Sequence, residues 1–382
     1  MEFTPSATNT IGVEIELQLL DAESLDLRDG ILPLMELFPG TAYIKPEVIQ
    51  NTVEIVSRVC TSVAELEGHL SALAAELHGK SRELGMRLCG AGTHPFSQRL
   101  TLITPLPRYL AMEAQAAFRL HAQTTFATHT HIGMSSGDEA VALMRRLKPY
   151  LPLLIALSAN SPFWRGFDTG CASYRHRILA ATRSYGIPPS FSDWADFRRF
   201  FDTTHRAGLF ESVYDIHWDI RPRPHFGTLE VRAMDQQSTV ADAVALASLV
   251  RALVTWLRRV GDAAPSGLPR ALPWWTEKEN HFQASRLGLA ARYIADEQGT
   301  VRPLRDVWED VRAQIEPVAA ELGELPWLAY LCGRIETGLG HERQRRVYKE
   351  TGLMQEVVVA LVDEFEREVA QHSAPGVMAC PG

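Results

Sequence analysis

The chain has 382 residues, of which 46% are hydrophobic, and such a chain can bury a substantial core. Its formal net charge of -8 argues against a general binder of nucleic acid or of anionic membranes, because such proteins usually carry a basic field. The amino-terminal MEFTPSATNT has no basic start and no apolar run, and the longest apolar stretch, LPLLIALSA, is far shorter than the roughly 20 residues of a membrane span. The five cysteines show no CxxC pair. We therefore expect a cytoplasmic protein with free thiols.

The first half of the chain predicts strands separated by a few helices. Residues 11–20 alternate strictly between apolar and polar side chains, which is typical of a half-buried strand. Leucines at helical spacing after Thr61, the expected N-cap, predict a helix over 61–85. The other predicted elements are an extended segment at 42–58, a glycine-rich loop at 89–96, a helix at 108–123 and a histidine-bearing strand at 126–134.

The second half of the chain becomes mainly helical. Two helices broken at Pro149 and Pro152 are expected over 137–159, and the irregular stretch 160–190 has the length and composition of a functional loop. The further predicted elements are a helix near 193–207, an extended arm and strand over 218–235, a helical part over 239–371 with loops at 261–275 and 296–303, and a frayed tail at 373–382. Strands concentrated over 10–235 and then helices indicate an α+β fold with an antiparallel sheet.

Three strand-like segments each place two ionisable groups two residues apart, and such side chains point to the same face of a strand. If the three strands are neighbours, one face of the sheet carries carboxylates, imidazoles and a guanidinium. A metal–phosphate site needs this mixture, because hard cations prefer carboxylate oxygens and phosphate oxygens prefer arginine. The pairs are Glu14 and Glu16 in GVEIEL, His129 and His131 in THTHIG, and Glu230 and Arg232 in LEVRAM.

Each pair alone also fits a plainer interpretation, such as a solvated strand face, a hydrogen-bonded core histidine or an ordinary cross-strand ion pair. Two carboxylates on one narrow face nevertheless repel each other unless a cation lies between them. Arginine is also concentrated in two segments of this acidic chain, which suggests bidentate recognition of phosphate or carboxylate. These arginines are Arg165, Arg175, Arg177 and Arg183 in the irregular stretch, and Arg221 and Arg223 before the last strand.

Common nucleotide-binding motifs and the zinc-protease motif are missing from the sequence. Gly79-Lys80-Ser81 imitates the end of a P-loop, but Ala74 stands where the first glycine of that motif is needed. No Rossmann glycine fingerprint follows a predicted strand, and HExxH does not occur. A bound nucleotide would therefore be held through metal-bridged phosphates on the carboxylate-bearing sheet.

Several segments resemble, in the same order, those of the YbdK-like carboxylate–amine ligases, which are relatives of type 2 glutamate–cysteine ligase. They are GVEIELQL, the KPE arm at 45–54, CGAGTHPF, HTHIGM, ALSANSPFWRG, WDIRPRPHFGTLEVRAMD and NHFQASRLGL, between about residue 10 and residue 370. The resemblance implies a single domain over 1–382, similar to the catalytic fold of glutamine synthetase, with a curved antiparallel sheet backed by helices. It also implies ATP-dependent chemistry, in which a carboxylate, most often the γ-carboxyl of glutamate, is phosphorylated and an amine such as cysteine then displaces phosphate.

The resemblance also implies roles for individual residues. Arg232, Glu230 and Arg221 are expected in catalysis, and Arg232 and Arg221 with His129 in nucleotide binding. Substrate contacts are expected from Asn160, Ser161 and Arg165. The expected ligands of Mg²⁺, with Mn²⁺ as an alternative, are Glu14, Glu16, Glu47, Glu54, His131 and Glu230. Two departures from the family pattern are Ile15, which faces the core side, and Gln50, which stands where relatives often carry an acidic residue.

Two other functions remain open from the residues alone. One is a metal-dependent hydrolase that activates water on the same carboxylate–histidine face and needs no ATP. The other is a non-catalytic relative that binds an amino acid or a nucleotide. The expected partners are a small acid and a small amine, and the resemblance allows a homodimer. The sequence does not identify the amine.

Overall fold

A computed structural model of the chain describes residues 1–263, 265 and 267–373. The tail for which fraying is expected, 373–382, lies outside these residues except for the backbone at its first position. The strands are β1 (Ile11–Asp21), β2 (Ile44–Pro46), β3 (Thr52–Val56), β4 (Met86–Cys89), β5 (Ala127–Gly133), β6 (Phe163–Trp164), β7 (Phe167–Asp168), β8 (Tyr185–Gly186), β9 (His217–Trp218), β10 (Ile220–Arg223), β11 (Thr228–Asp235), β12 (Arg292–Ile294) and β13 (Val301–Pro303).

The helices supply most of the carboxyl-terminal half. They are α1 (Ile31–Glu36), α2 (Val63–Glu83), α3 (Pro107–Ala116), α4 (Phe118–Ala122), α5 (Gly137–Leu147), α6 (Leu151–Ser158), α7 (Tyr174–Leu179), α8 (Trp194–Arg206), α9 (Val240–Val260), α10 (Trp274–Leu287), α11 (Leu304–Glu321), α12 (Leu325–Thr337), α13 (Gly340–Thr351) and α14 (Met354–Ser373). Short 3-10 helices lie at Lys148–Tyr150, Val213–Asp215 and Gly288–Ala290.

The central sheet has seven strands among the described residues, in the order β10-β11-β5-β1-β3-β2, and β4 pairs with the end of β1. All pairings in this sheet are antiparallel. β1 lies at its centre and is bonded along both edges, to β5 and then β4 on one side and to β3 on the other. The predicted α+β class, with an antiparallel sheet backed by helices, is confirmed.

The alternation in β1 sorts its side chains between two environments. Ile11, Val13 and Ile15 are each 1% exposed and join the main hydrophobic core, which also contains residues of α2 and α9. Burying such side chains stabilises the fold by about 1.5–3 kcal/mol each. Glu14 and Glu16 point away from this core. Ile15, the first departure from the family pattern, is thus a core residue as expected.

Helix α9 packs against this sheet and is almost entirely buried. It begins after Thr239, whose hydroxyl accepts a hydrogen bond from the backbone N–H of Asp242 at 3.0 Å. Among the described residues, α9 is the one helix whose length and composition would allow it to cross a membrane. However, 94% of its most apolar 18-residue segment is buried inside the fold. Its charged residues are paired inside the protein, for example Arg251 with Glu324. These features identify α9 as a core helix.

Several predicted boundaries are wrong in detail. The N-cap of helix α2 is Ser62, one residue after the expected Thr61, because the Ser62 hydroxyl accepts the N–H of Glu65 at 3.2 Å. The helix expected over 108–123 is divided into α3 and α4 by Ala117, whose φ of 50° lies in the left-handed region. The irregular stretch 160–190 contains a small hairpin, β6–β7, and α7, and the loop at 296–303 contains β13.

Strand β11 contains a local irregularity beside the polar face. Its register against β5 shifts between Val231 and Met234, which is typical of a β-bulge. On the other edge of β11, the backbone N–H of Arg232 donates to the carbonyl of Asp219 at 2.7 Å, which extends the pairing with β10 by one residue. The backbone at Arg232 is therefore bonded on the β10 side.

Candidate active site

The three polar pairs predicted from the sequence lie on three neighbouring strands, β11, β5 and β1. Their register places Glu14 opposite His129 and Glu230 opposite His131. On the other side of β1, Glu16 lies opposite Glu54 of β3. Because residues directly opposite in an antiparallel pair share a face, the carboxylates, imidazoles and guanidinium meet on one face of the sheet.

A cavity of about 300 Å³ opens above this face. Its carboxylates are Glu14, Glu16, Glu47 and Glu54, and its cations are Lys45, Arg108, Arg175, Arg221, Arg223 and Arg232. His129, Tyr109, Tyr185, Tyr214 and His217 also line it. His131 and Glu230 do not line this cavity and lie just beneath it. An acidic floor beside a group of guanidiniums is suited to a cation together with an anionic substrate.

Three carboxyl groups of the floor have raised pKa values. Burial, together with the charge of Glu47, raises the pKa of Glu16 to about 8. Burial and the neighbouring carboxylates, with Glu14 first among them, raise the pKa of Glu54 well above its usual range, and burial also raises the pKa of Glu47. Among the described residues, neither Glu47 nor Glu54 forms an ion pair with lysine or arginine. Ionising all of these carboxyl groups together is therefore unfavourable unless a cation lies among them.

His129 links the two acidic strands. Its Nδ1 donates to the Glu14 carboxylate at 3.0 Å, so its Nε2 carries the lone pair. That Nε2 is buried, has no hydrogen-bond partner among the described residues and lies 3.8 Å from a Glu16 oxygen. Burial, together with the charge of Arg232, lowers the pKa of His129 to about 3, which keeps the imidazole neutral. Although burial opposes ionisation, the charge of His131 and the histidine hydrogen bonds hold the pKa of Glu14 well below its usual range.

Glu230 is fully buried and is surrounded by guanidiniums. Arg221 donates Nε–H to one of its oxygens at 2.8 Å, and Arg232 donates to the other. Although burial opposes ionisation, the charges of Arg221, Arg232 and Arg223 hold the pKa of Glu230 well below its usual range. The Nε of Arg232 is buried and has no hydrogen-bond partner within the described chain. The Glu230 carboxylate therefore holds the arginines in position, and Arg232 retains a donor.

The floor fits a divalent cation. Two sets of potential ligand atoms, each within 4.8 Å of one another, are formed by Glu14, His129 and Glu230 and by Glu16, Glu54 and His129. Carboxylate-rich sets of this kind suit Mg²⁺ or Mn²⁺, and the partnerless His129 Nε2 supports the fit. The sequence named His131 as the imidazole ligand, but both sets contain His129 instead. The Nδ1 of His131 lies 2.9 Å from the Thr228 hydroxyl.

The structure does not bring the three expected substrate contacts to the cavity. Asn160 and Ser161 are fully buried. The Asn160 amide donates to backbone carbonyls of Gly90 and Gln236, and the Ser161 hydroxyl donates to Asp235 at 2.6 Å. Arg165 lies in the turn between β6 and β7, with a φ of 52°, and its guanidinium lies over the Trp164 ring. None of the three lines the cavity, and Asn160 and Ser161 bond buried groups beside it.

Other residues that line the cavity could not be recognised as site residues from the sequence. Arg108 and Tyr109 belong to α3, a helix without a clear buried face, and nothing in its periodicity marks them as functional. Lys45 lies opposite Glu54 in the pairing of β2 with β3, and this position could have been inferred only with the strand register known. Gln50, the second departure from the family pattern, donates to the backbone of Ile103 at 2.9 Å and does not line the cavity.

A GxSxG sequence at 133–137, the spacing of a hydrolase nucleophile elbow, joins β5 to α5. Its central Ser135 donates to the Glu139 carboxylate at 2.6 Å, and Ser136 is the N-cap of α5. Both hydroxyls thus have roles at the start of a helix, as in a capping arrangement. This motif gives no support to nucleophilic hydrolysis.

Comparisons with known proteins agree with this site. The model of glutamate–cysteine ligase family 2 matches residues 10–364. A "putative glutamate–cysteine ligase 2" of Trichormus variabilis is 45% identical over 380 residues, covering 99% of this chain and 98% of that protein. A protein of the same description from Thermobifida fusca is 36% identical over 372 residues, covering 96% of this chain and 93% of its own length.

A solved structure shows the same fold at low sequence identity. It is the glutamate–cysteine ligase of Francisella tularensis in complex with AMP, which matches with a TM-score of 0.72 at 12% identity over 98% of this chain and 91% of that one. The family match and the two relatives extend over nearly the whole chain. The chain therefore belongs to glutamate–cysteine ligase family 2, as its sequence predicted, and is an ATP-dependent C–N ligase.

Proposed function

We propose that the chain joins the γ-carboxyl group of glutamate to an amine such as cysteine through an acyl-phosphate intermediate. The observation that carries this proposal is one sheet face with a crowded floor of buried carboxyl groups beside buried arginines. In the first step a carboxylate oxygen of the acid attacks the γ-phosphorus of ATP, and ADP leaves. In the second step the amine nitrogen attacks the acyl carbon, phosphate leaves with the bonding electrons, and the nitrogen loses a proton. The products are an amide, ADP and phosphate.

Glu14, Glu16, Glu54 and His129 are the residues that we propose to hold Mg²⁺, or Mn²⁺ in its place. Their atoms make up most of the two candidate ligand sets. Glu47, at the edge of the floor, and His131 and Glu230, beneath it, remain the further ligands that the family resemblance suggests. A divalent cation at this place neutralises phosphate oxygens and so favours attack on phosphorus.

The arginines contribute donors that need no rearrangement. The side chain of Arg232 is held by Glu230 and its backbone by the carbonyl of Asp219, and its partnerless Nε is placed to donate to an oxyanion. Arg221 is held by Glu230 and by backbone carbonyls, including that of Tyr214 at 3.3 Å. Donors fixed in this way stabilise charge that develops on a transferring phosphoryl group. We assign Arg232 and Arg221 to this role, and Glu230 to positioning them.

The proposal includes a cytoplasmic location. The four described cysteines, Cys60, Cys89, Cys171 and Cys332, are free thiols, which suits a reducing compartment. The fifth, Cys380, lies outside the described residues. A homodimer, which the family resemblance allows, and a single domain over 1–382 complete the proposal. Sedimentation of the purified protein tests the oligomeric state.

The deciding experiment measures ADP and phosphate release with Mg-ATP and L-glutamate, with and without L-cysteine. The expected result is cysteine-dependent ADP release and a product with the mass of γ-glutamylcysteine. Cysteine-independent ATP hydrolysis with no amide product would contradict the proposal. Turnover of any substrate without nucleotide would favour the hydrolase, and tight ATP binding with no turnover would favour a binding protein.

A further inference from the structure

Arg175 is a buried arginine that lines the cavity above the carboxylate floor. It belongs to α7, inside the irregular stretch 160–190, and not to the central sheet that supplies Arg221 and Arg232. Arginine is almost never buried unless partners compensate its charge. The partners that Arg175 has inside the protein therefore show which of its donors remain for a ligand.

The Arg175 side chain uses few of its donors within the chain. Its Nη2 donates to the backbone carbonyl of Arg232 at 3.2 Å. Its Nη1 lies 3.9 Å from an Asp235 carboxylate oxygen, which is too far for a hydrogen bond, and this buried atom has no hydrogen-bond partner among the described residues. Because a guanidinium carries donors on all of its nitrogens, Arg175 retains donors for a bound anion.

The Asp235 carboxylate compensates the charge of Arg175 without occupying its donors. One oxygen of Asp235 accepts the Ser161 hydroxyl at 2.6 Å and the backbone N–H of Asn160 at 2.9 Å. The other oxygen accepts the Ser173 hydroxyl at 2.8 Å. Asp235 is fully buried, and an opposite charge at this distance favours the charged form of the guanidinium. Arg175 is thus kept charged beside the cavity with hydrogen-bonding capacity to spare.

Arg175 and Arg232 act on the same end of the carboxylate floor. Burial and the charge of Glu47 raise the pKa of Glu16 to about 8, and the charges of these two arginines oppose that rise. Guanidiniums whose charges reach one carboxylate lie near it, which agrees with the hydrogen bond from Arg175 to the Arg232 backbone. An oxyanion bound to a cation at Glu16 would therefore lie beside both guanidiniums.

We propose that Arg175 is a further catalytic arginine, which donates to an oxygen of the phosphoryl group while that group passes from ATP to the acid. This inference rests on the proposed ligase function and adds a donor from outside the sheet. As the carboxylate oxygen bonds to the γ-phosphorus and the bond to ADP breaks, negative charge spreads over the phosphoryl oxygens. Arg175 and Arg232 stabilise that charge from fixed positions.

The test measures kcat and the KM values for ATP, L-glutamate and L-cysteine in the wild type and in Arg175→Gln. A donor that is used only during phosphoryl transfer affects kcat rather than the binding of substrates. We expect kcat to fall by about a hundredfold or more, with the KM values close to those of the wild type. Arg286→Gln removes an exposed arginine of α10 and should keep the wild-type kcat.

Two further variants distinguish a lost donor from a disturbed fold. Guanidinium chloride, at concentrations well below those that unfold the protein, should raise the kcat of Arg175→Ala, because the free ion replaces the missing group. NaCl at the same ionic strength should not. Arg175→Lys keeps the positive charge beside Asp235, so we expect it to fold even where the neutral variants do not. Its kcat should fall by about tenfold, since an ammonium lacks the planar fork of donors.

Wild-type kcat in folded Arg175→Gln or Arg175→Lys would overturn this role. A raised KM for one substrate at unchanged kcat would also overturn it, because Arg175 would then contact that substrate before the reaction. Equal effects of guanidinium chloride and NaCl on Arg175→Ala would have the same meaning. Absence of amine-dependent ADP release in the wild type would instead overturn the ligase proposal, and this inference with it.

Discussion

Arg221 and Glu230 lie directly opposite each other on β10 and β11, and the Nε of Arg221 lies 2.8 Å from a Glu230 carboxylate oxygen. The pair is buried, with side-chain exposures of 5% and 0%. Two further arginines, Arg223 and Arg232, contact the same carboxylate. One buried carboxylate thus organises three guanidiniums beside the cavity, and this relationship leads to the first prediction.

Glu230→Gln should damage both stability and activity. It leaves the guanidiniums without their shared negative partner, and breaking a buried ion pair in this way costs about 3–5 kcal/mol. We expect a lower free energy of urea unfolding and at least a hundredfold loss of ADP release under conditions in which the variant is still folded. Arg312→Gln, which breaks exposed pairs within α11, is the matched control and should change both measurements little. Wild-type activity in folded Glu230→Gln would refute the role given to this carboxylate.

Glu16→Gln should lower the activity of the protein without lowering its stability. In the absence of a divalent cation, the change removes one member of a crowded carboxylate group, so the melting temperature should stay the same or rise. ADP release should fall by about a hundredfold or more. Added MgCl₂ should raise the melting temperature of the wild type more than that of the variant, because a ligand that binds only the folded state stabilises it. An equal response to MgCl₂ in both proteins would argue against Glu16 as a ligand.

Asp242 should make the stability of the protein depend on acid pH. Arg334 donates to both of its oxygens at 2.6 Å, and although burial opposes ionisation, these bonds and the charge of Arg334 lower the pKa of Asp242 below its usual 3.8. With a lowered pKa in the folded state, the stabilisation is complete above the unfolded pKa. It is lost as pH falls through the folded pKa, because the unfolded chain binds the proton first.

Urea unfolding of the wild type and of Asp242→Asn at pH 7 and pH 3 measures this dependence. The variant should be less stable by about 3 kcal/mol at pH 7, and the difference should narrow at pH 3. Asp196→Asn, which alters an exposed pair with Arg199, serves as the control. A difference that is the same at both pH values would show that the lost packing, rather than the charge, is responsible.

Asn160→Ala should lower stability without changing substrate affinity. The amide N–H groups of Asn160 donate hydrogen bonds to buried backbone carbonyls, and its side-chain oxygen accepts a hydrogen bond from the Gln344 amide at 2.7 Å. The change therefore leaves buried polar groups without partners. A cost of about 3 kcal/mol is expected. In the folded fraction, the KM values for acid, amine and ATP should equal those of the wild type. A selective rise in one KM at wild-type stability would restore the substrate-contact role that the family resemblance suggests.

The polar face of the sheet was predictable because the spacing of residues along a strand determines which side chains share a face. A two-residue separation on a strand fixes the face, so the sequence alone is enough to group Glu14 with Glu16 and Glu230 with Arg232. Which imidazole lies among the carboxylates was not predictable in the same way. His129 and His131 share that spacing, and only the pairing of β5 with β1 places His129 between the two acidic side chains.

Other parts of the site depend on tertiary contacts that leave no local pattern. Asn160 lies within a family motif, yet its motif position does not reveal that it is fully buried. Arg108 reaches the cavity from α3, whose sequence resembles any exposed helix. The break at Ala117 was missed because a left-handed alanine is uncommon and the flanking residues favour helix.

The position of β1 gives the two sides of the cavity different timescales of motion. β1 is bonded along both edges, so its amides exchange with solvent only through large-scale unfolding, and Glu14 and Glu16 keep their spacing during shorter fluctuations. On the other side, α3 and α4 contain no buried residue among those described and are joined at the left-handed Ala117, so they should open at little cost in free energy. Hydrogen exchange should therefore be slow beneath the carboxylates and fast in the helices above them.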